Sequence, residues 1–137
     1  MLGIENDVNT FLRQTLVGVL GTTETDGSPH LAPIWYNWED GSAYMFTSRK
    51  SRKWRNIHAR PYASLCVDTR DVPYSAVILS GPVKEVDKTV FEVVSSMSYR
   101  YYGEQKGEIF AEWYRENPTD TVSFKLTADR IVKNLNM

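Results

Sequence analysis

The residues Thr47, Ser48, Arg49, Lys50, Ser51, Arg52 and Lys53 form a run of hydroxyls and cations of the kind that holds a phosphate. Five of the seven residues from position 49 to 55 are basic, while the whole chain has a formal net charge of −1. The positive charge is therefore local. A phosphate needs backbone N–H groups, hydroxyl donors and cations converging on one point. Ser51 is a candidate helix N-cap, and a helix N-terminus supplies free N–H groups and a favourable dipole. Thr47 and Ser51 would add hydroxyls, and Arg52 and Lys53 charge. Two other readings of the run stand beside this one. It could be a solvated basic helix face, or a contact for nucleic acid or an acidic partner using positions 49–55 with Trp54. The glycine spacing of a Walker loop is absent.

Other chemistry-bearing residues are sparse. His30 and His58 have no further ligand at metal spacing, and a zinc site needs three or four convergent ligands, so no metal is expected. His58 reads as a helix-end residue, where a cation favours the dipole. The single cysteine, Cys66, excludes an intrachain disulfide framework and reads as a small core residue. No Ser-His-Asp or Cys-His arrangement is suggested. Tyr99, Tyr101 and Tyr102 flank Arg100 and read more readily as helix packing than as a stacking platform.

The totals set the frame. A chain of 137 residues with 42% hydrophobic, 12% aromatic and 24% charged residues fits one globular domain, residues 1–137. A slightly negative net charge argues against a general nucleic-acid binder. No apolar run approaches the ~20 residues of a membrane span. The N-terminus lacks the basic start and apolar core of a signal peptide, so a cytoplasmic protein is expected.

The elements that must position the basic run read as follows. Residues 7–14 form a short helix with Val8, Phe11 and Leu12 on one side. Residues 15–23 are the first strand. Asp26-Gly27 is a hairpin signal, read as a type I′ turn. Residues 30–38 return as one second strand, placed at an edge or bend because Pro29 and Pro33 cannot donate ladder bonds. Asp40-Gly41 repeats the turn signal before a third strand at 43–47. Residues 52–59 make two helical turns, with Trp54 and either Ile57 or His58 facing inward, and Pro61 stops them. Strands follow at 62–68 and 74–86, the latter bent at Gly81-Pro82. Asp87 caps the longest helix, which halts at Gly103. A further helix at 107–116 ends before Pro118. Residues 122–126 alternate as a half-buried strand, and 131–135 add a short last one. Six or seven short strands in hairpin order favour an antiparallel barrel with peripheral helices, mainly β in class (α+β), over a parallel sheet.

An ordered set of segments resembles the pyridoxamine 5′-phosphate oxidase-like, FMN-binding split β-barrel family, which also includes enzymes that use the deazaflavin F420. The segments are DGSPHLAPIWY (26–36), DGSAYMFTS (40–48), SRKWRN (51–56), ARPYASLCVD (59–68) and the strand ending in Ser80-Gly81. The match covers about residues 11–86. The later Arg100-Tyr101-Tyr102-Gly103 and residues 122–134 are similar but less specific.

The resemblance implies a role for each matching position. Ser51, Arg52 and Lys53 would hold the cofactor phosphate. Phe46 and Thr47 would lie along the ribityl chain and ring. Pro33, Ile34 and Trp35 would present backbone to the ring edge. Ala76 falls where flavin-binding relatives often carry a polar side chain towards the cofactor, and alanine offers none. The family is homodimeric with cofactors at the subunit interface, so residues 98–102 or Trp113 of a second copy would complete each site. The implied activity is an oxidoreductase passing a hydride or electron pair between the ring and a small-molecule substrate. FMN is the expected cofactor and F420 the alternative, whose acidic tail would suit Arg49, Lys50 and Arg55. A non-catalytic binder of a flavin or related ligand is the further alternative. A true pyridoxamine phosphate oxidase would be longer, with a C-terminal segment gripping the substrate phosphate.

Overall fold

The computed structural model describes residues 3–86, 90–117 and 119–136. The expected Asp87 cap and the Pro118 stop lie outside them. The elements, in chain order, are α1 (Asn6–Leu12), β1 (Gly18–Thr23), β2 (Pro29–Ile34), β3 (Asn37–Glu39), β4 (Ser42–Ser48), α2 (Arg52–Ala59), β5 (Tyr62–Asp68), β6 (Ala76–Glu85), α3 (Val90–Tyr102), α4 (Glu104–Glu116), β7 (Thr121–Thr127) and β8 (Arg130–Asn134). One antiparallel sheet runs β2-β1-β5-β6-β7-β4-β3, with β8 on β6. It curls into a half-closed barrel. The inward side chains of every strand alternate with outward ones and meet in a single core, which includes Leu20, Met45, Leu65, Leu79 and Phe124.

The expected second strand is two strands. β2 pairs with β1, whereas β3 pairs with β4. The alternation of buried and half-exposed side chains continues through Trp35 and Tyr36. Side-chain periodicity therefore reads one strand where the backbone has changed partner. Since β2 and β3 end the sheet path, these two residues join its opposite edges.

The turns divide. Asp40 and Gly41 both have positive φ, 50° and 78°, as a type I′ turn requires. At Asp26-Gly27 only Gly27 does, at 88°. There Gly27 N–H bonds to Glu24 C=O at 2.9 Å and Glu24 N–H to Ser28 C=O at 2.8 Å. The expected I′ turn is instead a three-residue loop, and the Asp26 carboxylate, which accepts from Ser28 N–H and Oγ, braces it.

The expected bend in β6 is a change of neighbour. Residues 76–80 pair with β8, and 83–85 pair with β7. At the crossing, a Cβ on Gly81 would sit 1.9 Å from the Thr127 carbonyl oxygen, so only glycine fits. α4 starts at Glu104, directly after Gly103, and not at 107. Gly107 instead lies against the Ser98 backbone of α3, where a Cβ would come within 2.7 Å of the carbonyl oxygen.

Candidate cofactor site

The basic run folds as the sequence suggests at its centre. Ser51 is extended and caps α2, its Oγ accepting from Trp54 N–H at 3.2 Å. The Thr47 hydroxyl donates to the same oxygen, also at 3.2 Å. Trp54 and Ile57 are buried and His58 is exposed, which anchors α2 on the barrel end. Asn56 fixes that docking by donating to Thr22 Oγ1 at 3.0 Å. The first-turn N–H groups of Arg52 and Lys53 have no carbonyl within the helix to bond, which is the usual state of a helix start.

Acids temper the positive charge. Arg49 pairs with Glu85 at 2.9 Å, and Arg52 with Glu24 at 3.6 Å. Ser48 Oγ donates to the Asp120 carboxylate at 3.1 Å and accepts from Lys50 N–H. Composition and spacing do not reveal these partners, because they arrive from the β1–β2 loop, β6 and the segment before β7.

Beside this turn the barrel is open at a seam. β2 pairs on one edge only, with β1. Residues 45–48 of β4 pair on one edge only, with β7. Among the described residues, the backbone groups on the opposite edges of these two strands carry no ladder. The seam narrows where Trp35 meets Phe46 edge to face, with ring centroids 6.5 Å apart.

Of the expected site residues, the structure brings most to this seam. Thr47 and Ser51 are bonded, Arg52 and Lys53 form the first turn beyond them, and Phe46 touches Trp35. Phe46 and Thr47 point to opposite faces, Thr47 into the barrel and Phe46 outward. Ile34 is buried inward, and Pro33 lies exposed on the outer face. Ala76 stands apart. It begins β6 opposite Asp68, one residue beyond the Ile34–Gly18–Val67–Val77 row, and so lies three strands across the sheet from β2.

Sequence reasoning placed no residue of this chain's own α4 at the seam. Phe110 lies 5.8 Å from Trp35, and Tyr114 6.0 Å from Phe46. Their spacing of four residues on a helix was the available signal. Burial pushes the Tyr114 phenol up, and hydrogen bonding to Thr121 acts the other way. From α3, Tyr101 stacks on Trp35 at 4.7 Å with the rings 5° from parallel, and Tyr102 meets it at 5.2 Å. These tyrosines, assigned to helix packing or to a second copy, pack on Trp35 of their own chain.

A capped helix start with cations is a donor set that suits a phosphate at one end of the seam, and the unladdered edges beyond it are packed by Trp35, Phe46, Tyr101, Phe110 and Tyr114. A curled antiparallel half-barrel with that opening is the split-barrel fold. The sequence model of the family described as "Pyridoxamine 5'-phosphate oxidase" matches residues 4–133, and the chain belongs to that family. Among solved structures, it is similar to the conserved hypothetical protein Rv2991 of Mycobacterium tuberculosis, at 24% identity and TM-score 0.77, covering 97% of this chain and 85% of that one. It is also similar to an F420 reductase, at 22% and 0.75, covering 94% and 98%. HutZ, a haem storage protein of Vibrio cholerae, follows at 16% and 0.72, covering 96% and 94%. No curated protein is a significant match. Among the described residues, no helix is long and apolar enough to cross a membrane.

Proposed function

We propose that this protein is an oxidoreductase that holds FMN at the seam between β2 and β4. The observation that carries this reading is the Ser51-capped start of α2 opening onto two unladdered strand edges. Ser51, Arg52 and Lys53 would hold the phosphate through hydroxyl, first-turn N–H groups and charge. Phe46 and Thr47 would flank the ribityl chain and ring, and the backbone of Pro33, Ile34 and Trp35 would face the ring edge. Bound there, the ring would supply hydride or electron-pair transfer to a small substrate, while the chain binds, orients and excludes water. N–H donors on the β2 edge would favour negative charge on the reduced ring.

F420 is the second reading. Lys50 and Arg55 add cations beside the phosphate turn, and the similar F420 Reductase shares the fold. A non-catalytic ligand holder is the third. It is favoured by the aromatic side chains of α4 that lie over Trp35 and Phe46.

The site is proposed to be completed in a homodimer. The outer face of the sheet carries Pro33, Val19, Cys66, Ile78 and Val132 in one cross-strand row. Leu31 beside it is 67% exposed. A second copy of this chain would bury that row, and Ala76 on the same face would then lie near the partner.

The test is titration of the purified protein with FMN and, separately, with F420, following cofactor fluorescence. Saturable FMN binding with turnover by a flavin reductant supports the first reading. Binding of F420 alone moves the protein to the second, and a bound chromophore without turnover to the third. Binding of neither removes the first two, and the third as a holder of either cofactor.

A further inference from the structure

We propose that Tyr101 is a positioning residue for the cofactor site, setting the plane of Trp35 and the backbone of the link between β2 and β3. This rests on the reading that the Trp35 segment faces the ring edge. The link has no ladder of its own, since β2 ends at Ile34 and β3 begins at Asn37. The backbone N–H and C=O of Tyr36 within it are bonded from α3. Tyr36 N–H donates to Tyr101 Oη at 3.2 Å. Tyr101 O–H in turn is directed at Leu16 C=O, 2.7 Å away, with Tyr36 C=O at 3.1 Å as a second acceptor. One phenol thus ties the chain entering β1 to the chain leaving β2.

The ring of Tyr101 does a second job. It lies parallel to Trp35 at 4.7 Å and covers one indole face. Phe46, Tyr102 and Phe110 meet Trp35 at 76°, 81° and 56°, so none of them could fix its plane by stacking. Rotation of Trp35 would break the stack, and movement of the link would orphan a backbone N–H.

Arg100 holds Tyr101 in place. Its guanidinium donates to Arg13 C=O at 3.0 Å and to Leu12 C=O at 3.3 Å, and it bonds Gln14 C=O as well. It also lies 5.3 Å above the Tyr36 ring and 5.6 Å from the Tyr101 ring. The end of α3 is therefore anchored to the end of α1, independently of anything that binds in the seam. That gives Tyr101 a fixed frame from which to hold Trp35.

Two variants separate the jobs. Tyr101→Phe keeps the stack and removes the hydroxyl, and Tyr101→Leu removes both. Each is compared with wild type by far-UV circular dichroism, by FMN and F420 titration, and by visible circular dichroism of whichever cofactor binds. The expected result for Tyr101→Phe is an unchanged fold, affinity lowered about 2- to 10-fold, and an altered visible spectrum of the bound ring. Tyr101→Leu should lose more affinity, and Tyr101→Phe alone carries the comparison if Tyr101→Leu fails to fold. A variant that is less stable but binds with wild-type affinity and spectrum would show a structural role only and overturn the proposal. If wild type itself binds neither cofactor, the proposed function falls and this proposal with it. Wild-type binding with indifferent variants removes Tyr101 alone.

Discussion

The Thr47 hydroxyl donates to Ser51 Oγ at 3.2 Å, and that oxygen also accepts the Trp54 N–H at 3.2 Å. One oxygen thus joins the end of β4 to the start of α2. Ser51→Ala removes the cap and should cost about 1 kcal/mol in urea unfolding. Ser51→Asp restores a capping acceptor but puts negative charge where a phosphate would sit. Stability should recover in the aspartate variant while cofactor affinity falls by at least about 10-fold. Equal affinity in Ser51→Asp and wild type would contradict the phosphate assignment.

Arg52→Ala breaks only an exposed pair with Glu24, with the guanidinium side chain 61% exposed. Such pairs contribute about 0–1 kcal/mol, so the melting temperature should barely move. Lys53→Ala should be similarly mild. Cofactor binding by the double variant should be weaker by about 10-fold or more and lose most of its dependence on salt, since each cation acts on the phosphate by charge. Titration at low and high ionic strength checks this.

Gly81→Ala places a methyl group 1.9 Å from the Thr127 carbonyl oxygen. Backbone must move on both sides of the β6 crossing, and the cost should be about 2–4 kcal/mol. Gly21→Ala is the control. Its Cβ would meet the Leu31 side chain at 3.4 Å and the Ser64 carbonyl oxygen at 3.6 Å, both ordinary contacts, and chemical unfolding should register little change.

Ile78→Lys adds a charge in the middle of the apolar cross-strand row without touching the core. The proposed dimer should dissociate, seen by sedimentation velocity, with secondary structure unchanged. A wild-type protein that sediments as a monomer would exclude this face as the dimer contact.

Lys133 reaches Asp7 at 2.8 Å and Glu5 at 2.6 Å, tying β8 to α1. Hydrogen bonding to Lys133 lowers the Asp7 carboxyl, and bonding to both acids raises Lys133. A lowered acid stabilises the fold above the ordinary carboxylate range and stops doing so as pH falls through its folded value. A raised lysine stabilises below its ordinary value and stops as pH rises through the folded one. The tie therefore acts across the neutral range and fades at both ends. Lys133→Met should flatten both limbs of a melting-temperature profile against pH.

Much of this architecture is legible in residue patterns. The cap at Ser51 and the Asp40-Gly41 turn each follow from a local rule and appear as expected. In β7, Val122, Phe124 and Leu126 are buried as the alternation predicts, but Ser123, expected on an open face, is buried too. What escaped is non-local. The break at Trp35 is a change of backbone partner that leaves side-chain alternation untouched. Glu24, Glu85 and Asp120 reach the basic run only through the sheet, so the run reads as more positive in sequence than it is in space. The spacing of Phe110 and Tyr114 marks a shared helix face, but its place over Phe46 depends on how Gly107 lets α3 and α4 approach, a non-local fact.

The link between β2 and β3 also bears on how the barrel opens. The two edges of the sheet are held together by a covalent joint of two residues, with no strand ladder between them. The β1–β2 and β3–β4 hairpins are each complete on their own side of that joint. Each is also laddered onward, β1 to β5 and β4 to β7, so the sheet joins them the long way round. A ligand entering the seam would therefore work against the aromatic packing around Trp35 and the Tyr101 hydrogen bonds to the link, and the rate of its entry would report on both.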